Sequence, residues 1–259
     1  MPKKSLGQNF LNNASLLSNI VEVGNISKKD VVLEIGPGTG NLTEKILEKK
    51  PKKFYVVEKD DSLSKFLKNK FGDKIIIIND DILNCYNKFK FDTQIKVFGN
   101  LPYNISTKIL ISFIKLNDIS KYFSKFIFIF QKEVADRLIA ETNNKNYGRL
   151  SVITSWKMEK SKILDISPEF FYPIPKVWST LLTLTPKSDF IKINRIKNLE
   201  HVTNIFFNQR RKMIGKPMKQ LFKNYEITSK ILNLDLKLRP QNIPVDKYLE
   251  ICRTFEKLI

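Results

Sequence analysis

The feature that most constrains the fold is an apolar run followed directly by a five-residue segment that contains three glycines. Residues 31–35 (Val-Val-Leu-Glu-Ile) have the composition of a buried strand, residues 36–40 are Gly-Pro-Gly-Thr-Gly, and residues 41–49 have helical spacing of Leu and Ile. Small residues at such a turn let the backbone approach a ligand, while the N–H groups that open the helix point towards it. The sequence therefore predicts a strand–turn–helix unit with a ligand site at the turn.

Further apolar runs alternate with helical patterns along the chain. The predicted strands are residues 54–57, 75–78, 95–98 and 126–130. The predicted helices around them are residues 14–23, 61–71, 107–114 and 134–140. Strands that alternate with helices form a parallel, doubly wound sheet, so the expected fold class is α/β and Rossmann-like. Residues 156–166 and 180–185 are expected to add an antiparallel hairpin late in the sheet.

A domain boundary is predicted near Pro186, where the strand patterns stop. The later helical patterns are residues 199–207, 218–222 and 245–258. This part of the chain is also the more basic one, because residues 186–259 contain 16 basic and 7 acidic side chains. We therefore predict a ligand-binding domain over residues 1–186, which begins with a polar arm at residues 1–11, and a basic helical domain over residues 187–259.

Composition narrows the classes of partner and chemistry. The 45 Lys and Arg against 26 Asp and Glu give a formal net charge of +19 at pH 7, which favours a polyanionic partner, with nucleic acid ahead of an anionic membrane. Two cysteines and one histidine give no support to a zinc site, a disulfide framework or a Ser-His-Asp triad. No apolar run approaches the roughly 20 residues of a membrane helix. The expectation is a cytoplasmic protein without a metal and without a membrane anchor.

Acidic residues follow two of the predicted strands beside the glycine turn. Glu58 lies at the end of the second strand, about 20 residues after the turn, where a carboxylate can accept from both hydroxyls of a ribose. That arrangement fits NAD and S-adenosylmethionine equally. Asp80 and Asp81 follow the third strand, where an acid could accept from the exocyclic amine of an adenine. Capping of a turn is the alternative role for these two residues.

A second polar loop follows the strand predicted at residues 95–98. Its sequence is Gly-Asn-Leu-Pro-Tyr-Asn-Ile-Ser at residues 99–106. The Asn100 side-chain oxygen can accept a hydrogen bond, the Pro102 carbonyl can accept another, and Tyr103 offers a flat ring. Two acceptors and a stacking face suit the amino group of a planar base, so these three are the candidate catalytic residues. Asn-x-Pro turns are also common as plain loop structure, which is the alternative interpretation.

Three motifs together carry a family resemblance: residues 8–11 (Gln-Asn-Phe-Leu), 34–43 and 100–103. In this order they resemble the small-subunit ribosomal RNA adenine N6-dimethyltransferases, the kasugamycin-sensitivity family, over nearly the whole chain. The resemblance implies S-adenosylmethionine as cofactor, and two methyl groups on each of two adjacent adenosines near the 3′ end of 16S rRNA. The expected partner is this rRNA within an assembling small subunit, and nothing in the sequence demands more than a monomer. The implied cofactor-binding residues are Asn9, Leu11, Gly36, Gly38, Glu58, Asp81 and Asn100.

The resemblance also bears on how the RNA is held. It implies that Phe170 or Phe171 forms the wall opposite the Tyr103 ring. Two positions depart from the family pattern, because Trp178 stands where an acidic residue is usual and Met213 where a threonine is usual. These departures leave the proposed pocket unchanged and concern the details of RNA contact.

Residues 206–212 (Phe-Phe-Asn-Gln-Arg-Arg-Lys) begin apolar and end in three cations. The pattern favours a helix that buries Phe206 or Phe207 and presents arginines to phosphates. A solvated charge run that closes a helix is the alternative. The resemblance favours the first interpretation, and the phosphate contacts that it implies are Arg149, Arg210, Arg211 and Lys212.

Three other functions compete with this interpretation. The large-subunit methylases of macrolide resistance share the fold and the chemistry, but they more often have isoleucine where this chain has Leu101. A catalytically silent nucleic-acid-binding factor on the same fold is disfavoured by the intact Glu58, Asp81 and residues 100–103. An NAD-dependent dehydrogenase would lack an acid–base partner and would leave the net charge unexplained.

Overall fold

The computed structural model describes residues 8–89 and 91–258, which form two compact units. The first unit comprises the described residues up to Ala135 together with Glu159–Pro186, and the second comprises Asp136–Met158 together with the described residues from Lys187 onwards. Residues 1–7 of the predicted arm lie outside the described residues. The structure differs from the predicted boundary, because residues 136–158 belong to the helical unit rather than to the domain of residues 1–186.

The first unit is built on a seven-stranded mixed sheet. The strands in chain order are β1 Phe10–Leu11, β2 Val31–Ile35, β3 Lys53–Val57, β4 Ile76–Ile78, β5 Ile95–Asn100, β6 Phe123–Gln131, β7 Met158–Ile166, β8 Phe171–Tyr172 and β9 Ser179–Pro186. The large sheet has the order β4-β3-β2-β5-β6-β9-β7. Neighbours from β4 to β6 pair in parallel, whereas β9 pairs antiparallel with β6. The predicted doubly wound α/β class is confirmed, and β1 and β8 form a separate two-stranded sheet that was not predicted.

Helices connect and flank these strands. They are α1 Ala14–Gly24, α2 Asn41–Glu48, α3 Asp61–Phe71, α4 Ile82–Cys85, α5 Ser106–Ile114, α6 Ile119–Tyr122, α7 Lys132–Ile139, α8 Arg149–Lys157, α9 Ile196–Phe207, α10 Gly215–Leu221, α11 Tyr225–Ile231 and α12 Val245–Glu256. Short 3-10 turns occur at Gly72–Lys74, Tyr86–Lys88, Pro168–Phe170 and Pro240–Asn242. Side-chain caps define the first turns, since Asn13 accepts from the N–H of Leu16 and Asp60 from that of Ser62. No helix in the described part of the chain has the length and apolar content needed to cross a membrane.

The order of the strands reverses beside β2. The chain proceeds from β2 outwards to β3 and β4, and then returns to the other side of β2 as β5. Ile35 at the end of β2 lies opposite Gly99 in β5. The glycine turn and the loop at residues 100–103 therefore leave the sheet side by side. Ligands of such sheets bind in the crevice outside the carboxyl ends of the strands at this kind of reversal.

Close packing of α1 on the sheet fixes the frame behind that crevice. Every residue of β2 is buried, and Phe98 of β5 is fully buried. A Cβ atom added at Gly24, the last residue of α1, would come within 2.2 Å of the Phe98 ring. Any side chain at this position would therefore push the helix away from the strand. Burial of each large apolar side chain in this core contributes about 1.5–3 kcal/mol.

The second unit is helical and has its own core. Phe206 is fully buried, as predicted, and its ring packs edge-on against Tyr248. The polar loop before α8 is anchored rather than free, because the buried Tyr147 hydroxyl donates to the Ile243 carbonyl at 2.9 Å. Helix α8 has buried side chains on several faces, which explains why its sequence lacks a clear helical period and why its end was predicted as a strand.

Candidate active site

A cavity of about 340 Å³ opens at the carboxyl ends of β2, β3 and β5, within the first unit. Residues from the arm, the glycine turn and the loops after β3, β4 and β5 line it. The lining includes all the predicted cofactor-binding and catalytic residues, namely Asn9, Leu11, Gly36, Gly38, Glu58, Asp81, Asn100, Pro102 and Tyr103. Groups spread over 95 positions of sequence are thus brought to one crevice by the strand reversal.

The glycine turn needs its glycines for two separate reasons. Gly36 has a φ of +66°, and no atom of the residues that the structure describes lies within 4 Å of the place where a Cβ would stand. The cavity side of Gly36 is therefore open to a ligand, which fits the predicted close approach of a cofactor. Gly38 has a φ of +60°, and a Cβ there would come within 2.5 Å of the Phe10 ring. The arm accordingly packs onto the turn at the point where only glycine leaves room.

The Glu58 carboxylate holds the turn from the neighbouring strand. It accepts from the N–H of Gly38 at 3.1 Å and from the N–H of Asp60 at 2.8 Å, one bond to each oxygen. Burial raises the pKa of Glu58 above its ordinary value, although these two N–H groups oppose the shift. Each carboxylate oxygen can accept a second bond, so the remaining lone pairs can serve a ribose.

A second carboxyl group, Glu34, lines the cavity and was not among the predicted site residues. It is buried in the middle of the apolar β2 and accepts from the Thr43 hydroxyl at 2.6 Å. Burial raises the pKa of Glu34 to about 8, and the nearby charge of Glu58 adds to the shift. The signal in the sequence was an acidic residue within an otherwise apolar five-residue strand. Burial of a carboxylate is costly unless the group is protonated or paired with hydrogen-bond donors.

Asp81 has partners on both of its oxygens. One accepts from the N–H of Leu83 at 2.9 Å and so caps α4, and the other lies 3.0 Å from the Lys59 ammonium. Partial burial alone would raise the pKa of Asp81, but these partners hold it below its ordinary value. The capping alternative from the sequence is therefore realised. Capping uses one carboxylate oxygen of Asp81. The role of Asp81 as an acceptor for an adenine amine stays a prediction, and it would use the second oxygen.

The Asn100 side chain joins the catalytic loop to the arm. Its amide nitrogen donates to the Asn9 carbonyl at 2.7 Å, which identifies its oxygen as the acceptor that remains. The arm is held at two more points. The Asn41 amide donates to the Leu11 carbonyl at 2.8 Å, and β1 pairs with β8 through Leu11 and Phe171. Nothing in the sequence marked Asn41 or β8 as supports for the arm, because both contacts span many residues.

Pro102 and Tyr103 complete the loop in a tighter arrangement than expected. The Pro102 carbonyl accepts from the Ile105 N–H at 3.1 Å, so it is not entirely free, and only its second lone pair can serve a base. The Tyr103 hydroxyl lies 2.6 Å from the Ser179 hydroxyl at the start of β9. Burial raises the pKa of Tyr103, so this hydroxyl is neutral at physiological pH. The ring is thus fixed at its far end.

Comparison with known proteins identifies the family. Residues 2–257 match the family model described as "Ribosomal RNA adenine dimethylase". This chain belongs to the ribosomal RNA adenine dimethylase family. A "Ribosomal RNA small subunit methyltransferase A" from Pelagibacter ubique is 53% identical over 256 residues, which cover 99% of this chain and 97% of the relative. The protein of the same name from Ehrlichia chaffeensis is 39% identical over 256 residues, with 96% and 95% coverage.

Two solved structures share the fold of this dimethylase. A dimethyladenosine transferase from Plasmodium falciparum has a TM-score of 0.78 at 24% identity, with 96% of this chain and 98% of that chain covered. The 23S rRNA methyltransferase ErmE has a TM-score of 0.70 at 20% identity, with 95% and 99% coverage. Identities this low speak for the fold alone. Family, fold class, enzyme class and S-adenosylmethionine as cofactor are confirmed for the dimethylase.

The two phenylalanines expected opposite Tyr103 lie elsewhere. Phe171 is 2% exposed and belongs to the apolar core with Leu11, its partner in the small sheet. Phe170 is half-buried against the same core, and its carbonyl accepts from the Asn12 N–H at 3.0 Å. Among the described residues, the cavity lining contains neither ring. The structure therefore assigns both residues to the support of the arm, Phe171 through its buried ring and its pairing with Leu11, and Phe170 through its carbonyl and its partly buried ring.

The basic residues expected at RNA lie in the second unit. Arg149 donates to the Asn204 side chain at 3.0 Å, and Arg210 donates to the backbone carbonyls of residues 144 and 145. These two guanidinium groups therefore help to hold the helical unit together. Arg211 and Lys212 are exposed, in the turn that follows α9 rather than in a helix. No cluster of three or more His, Cys, Asp or Glu suited to a metal occurs within residues 8–89 and 91–258.

Proposed function

We propose that this dimethylase transfers two methyl groups to N6 of each of two adjacent adenosines near the 3′ end of 16S rRNA, in an assembling small subunit. The names of relatives at 53% and 39% identity support a small-subunit substrate. The observation that carries the proposal is the hydrogen bond from the Asn100 amide to the Asn9 carbonyl. It leaves one neutral acceptor at the cavity, beside the residues proposed to hold the methyl donor.

The cofactor half of the cavity comprises the glycine turn and the acidic strand ends. Gly36 offers open backbone, and Glu58 is positioned by two N–H groups with lone pairs left for the ribose hydroxyls. Asp81 would accept from the adenine amine with the oxygen now paired to Lys59. The arm, with Asn9 and Leu11, would cover the methionine end of the cofactor. S-adenosylmethionine supplies a methyl group that is already activated for displacement, so no metal or strong base is needed.

The target half must hold a weak nucleophile in line. Adenine N6 shares its lone pair with the ring, which makes the nitrogen a poor nucleophile. The Asn100 oxygen and the second lone pair of the Pro102 carbonyl would accept its two hydrogens and favour a geometry in which the lone pair is available. The Tyr103 ring would stack on the base, a contact worth about 1–3 kcal/mol. The base must leave its stack to reach this pocket.

The proton released after transfer needs no dedicated base. A methylated N6 is cationic and acidic before it loses its proton, so water can accept that proton. The single histidine of the chain, His201, lies in α9 of the second unit rather than among the groups that line the cavity. This arrangement agrees with a reaction that is driven by alignment and not by general base catalysis.

Exposed cations of the second unit would contact the RNA backbone. Arg149, Arg211 and Lys212 are the exposed members of the predicted set, and Arg149 and Arg210 also hold the unit together through their hydrogen bonds. Release of counterions makes such binding weaken steeply as salt rises, by up to orders of magnitude for several phosphate contacts. We infer a monomer that acts where small subunits are assembled, in the cytoplasm.

Methyl transfer from labelled S-adenosylmethionine to unmethylated small and large ribosomal subunits tests the function. We expect label in dimethyladenosine near the 3′ end of the small-subunit RNA, with Asn100→Ala nearly inactive. Label on large subunits alone would assign the chain to the macrolide-resistance type of reaction. Binding of either subunit without any transfer would support a silent binding factor instead.

A further inference from the structure

The loop between β8 and β9 exposes an unusual amount of apolar surface. Within residues 172–178, Tyr172 is 60% exposed, Ile174 69% and Trp178 51%, and Val177 is also exposed. Large apolar side chains that cluster on a surface mark a site of interaction more often than chance exposure does. This loop is not part of the cavity lining described above.

The end of the loop that carries Trp178 is held rigidly. The Trp178 carbonyl accepts from the Lys132 N–H at 2.9 Å. Thr180, two residues on, donates to the Asp165 carboxylate at 2.6 Å, and the intervening Ser179 contacts the Tyr103 hydroxyl at 2.6 Å. Trp178, which is 51% exposed, therefore stands next to a fixed strand end, and the residue that follows it contacts the Tyr103 hydroxyl. A group on such a frame loses little conformational entropy when it binds.

The chemistry of the loop fits an unpaired nucleotide. An indole face stacks on any base, and such stacking is the usual way in which proteins hold single-stranded nucleic acid. Lys176 is exposed two residues before Trp178 and offers a cation to a phosphate. The net charge of +19 makes a polyanion the preferred occupant of an exposed patch.

We propose that Trp178 stacks on an unpaired base of the substrate RNA that neighbours the target adenosine, and that Lys176 pairs with a phosphate of that nucleotide. Trp178 and Tyr103 would thus hold two nucleotides on one frame, joined by the contact between Tyr103 and Ser179. The inference rests on the proposed function, since it assumes that the target base enters at Tyr103.

Two measurements test the proposal on the full chain. The chain has two tryptophans, and Trp156 is only 4% exposed, so acrylamide quenching of the fluorescence reports Trp178. We expect an RNA of the small-subunit 3′ end to protect this fluorescence from acrylamide. Trp178→Ala is expected to raise the KM for unmethylated small subunits roughly fivefold or more, while the cofactor Kd stays unchanged. Trp178→Phe should restore most of the loss.

A matched control separates stacking from general loss of exposed aromatic surface. Phe66 on α3 is 47% exposed, so Phe66→Ala should leave the KM unchanged. An unchanged KM for Trp178→Ala, or quenching that RNA does not alter, would overturn the proposal. Loss of a dimer in sedimentation on Trp178→Ala would overturn it in favour of a second copy of the chain. If the wild type itself methylates no small subunit, the proposed function fails rather than this inference.

Discussion

The two halves of the cavity differ in the type of polar group that they carry and in how those groups are held. On the cofactor side, Glu34, Glu58 and Asp81 follow or lie in neighbouring parallel strands, and all three are carboxyl groups. On the target side, Asn100 and Tyr103 are neutral, and each is fixed by one hydrogen bond to a distant part of the chain. A sulfonium cofactor carries positive charge, whereas adenine N6 is neutral. From this difference we infer that the binding of the methyl donor and the alignment of the acceptor depend on different residues.

The largest expected effect comes from the target half. Asn100→Ala removes the neutral acceptor, and we expect turnover to fall roughly 100-fold or more, as for other preorganised polar groups. Cofactor affinity should change little, because the carboxylates remain and the arm is still held by the Asn41 amide and by the pairing of β1 with β8. Single-turnover methyl transfer and calorimetric binding of S-adenosylmethionine measure the two quantities. Asn117→Ala, an exposed asparagine of the same unit, is the control. Unchanged turnover in Asn100→Ala would remove Asn100 from the mechanism.

The converse effect is expected on the cofactor side. Glu58→Gln replaces one of the two acceptors that hold the N–H groups of Gly38 and Asp60. A hydrogen bond to a charged group contributes about 1.5–3 kcal/mol, so the cofactor Kd should rise roughly tenfold or more. The rate at saturating cofactor should stay close to that of the wild type. Glu169→Gln, at an exposed position, serves as control. A large loss of rate with an unchanged cofactor Kd would contradict the division of the cavity into a cofactor half and a target half.

The buried carboxyl group of Glu34, on the cofactor side, makes the stability of the protein depend on pH. The folded chain keeps the Glu34 proton up to about pH 8, whereas the ordinary pKa is 4.5. The contribution of Glu34 to stability is therefore fully present below about pH 4.5 and is lost as the pH rises to about 8, by up to about 1.4 kcal/mol per pH unit. Glu34→Gln removes this slope, so urea unfolding should favour the variant more at pH 8 than at pH 6. Parallel pH profiles for variant and wild type would contradict the assignment.

The smallest effect is expected at the far end of the Tyr103 ring. Tyr103→Phe keeps the ring and removes the contact with Ser179, so the KM for small subunits should rise a few-fold, in line with about 0.5–1.5 kcal/mol for one hydrogen bond. Ser179→Ala removes the same contact. The double variant should be no worse than either single one, because both lose one interaction. Additive losses would show that the two hydroxyls act separately.

Local sequence patterns determined much of the fold. The helix predicted at residues 61–71 is α3, Asp61–Phe71, and the strand at residues 31–35 is β2. Both have strong periodicity or uniform burial together with clear end signals, such as the Asp60 cap. Strand ends were less accurate, since β5 continues to Asn100. The glycine and catalytic loops could still be placed at one edge, because parallel strands bring their carboxyl ends together.

Long-range contacts could not be predicted from these patterns. Ser179 lies 76 residues from Tyr103, and nothing in either segment indicates that their hydroxyls meet. The family resemblance implies that Phe170 or Phe171 faces the target base. In the structure, the pairing of Phe171 with Leu11 buries Phe171 in the core. Residues 136–158 precede the last strands, so their membership of the helical unit became visible only in three dimensions. The sequence therefore predicted which residues line the cavity better than it predicted the contacts that support them.

The most direct test compares Asn100→Ala and Glu58→Gln in one experiment, with the cofactor Kd and the single-turnover rate measured for each on unmethylated small subunits. We expect a crossed result, in which Asn100→Ala loses rate and keeps its Kd, while Glu58→Gln loses affinity and keeps its rate at saturation. If both variants lost rate and affinity together, the cavity would act as one unit and the division into two halves would be wrong.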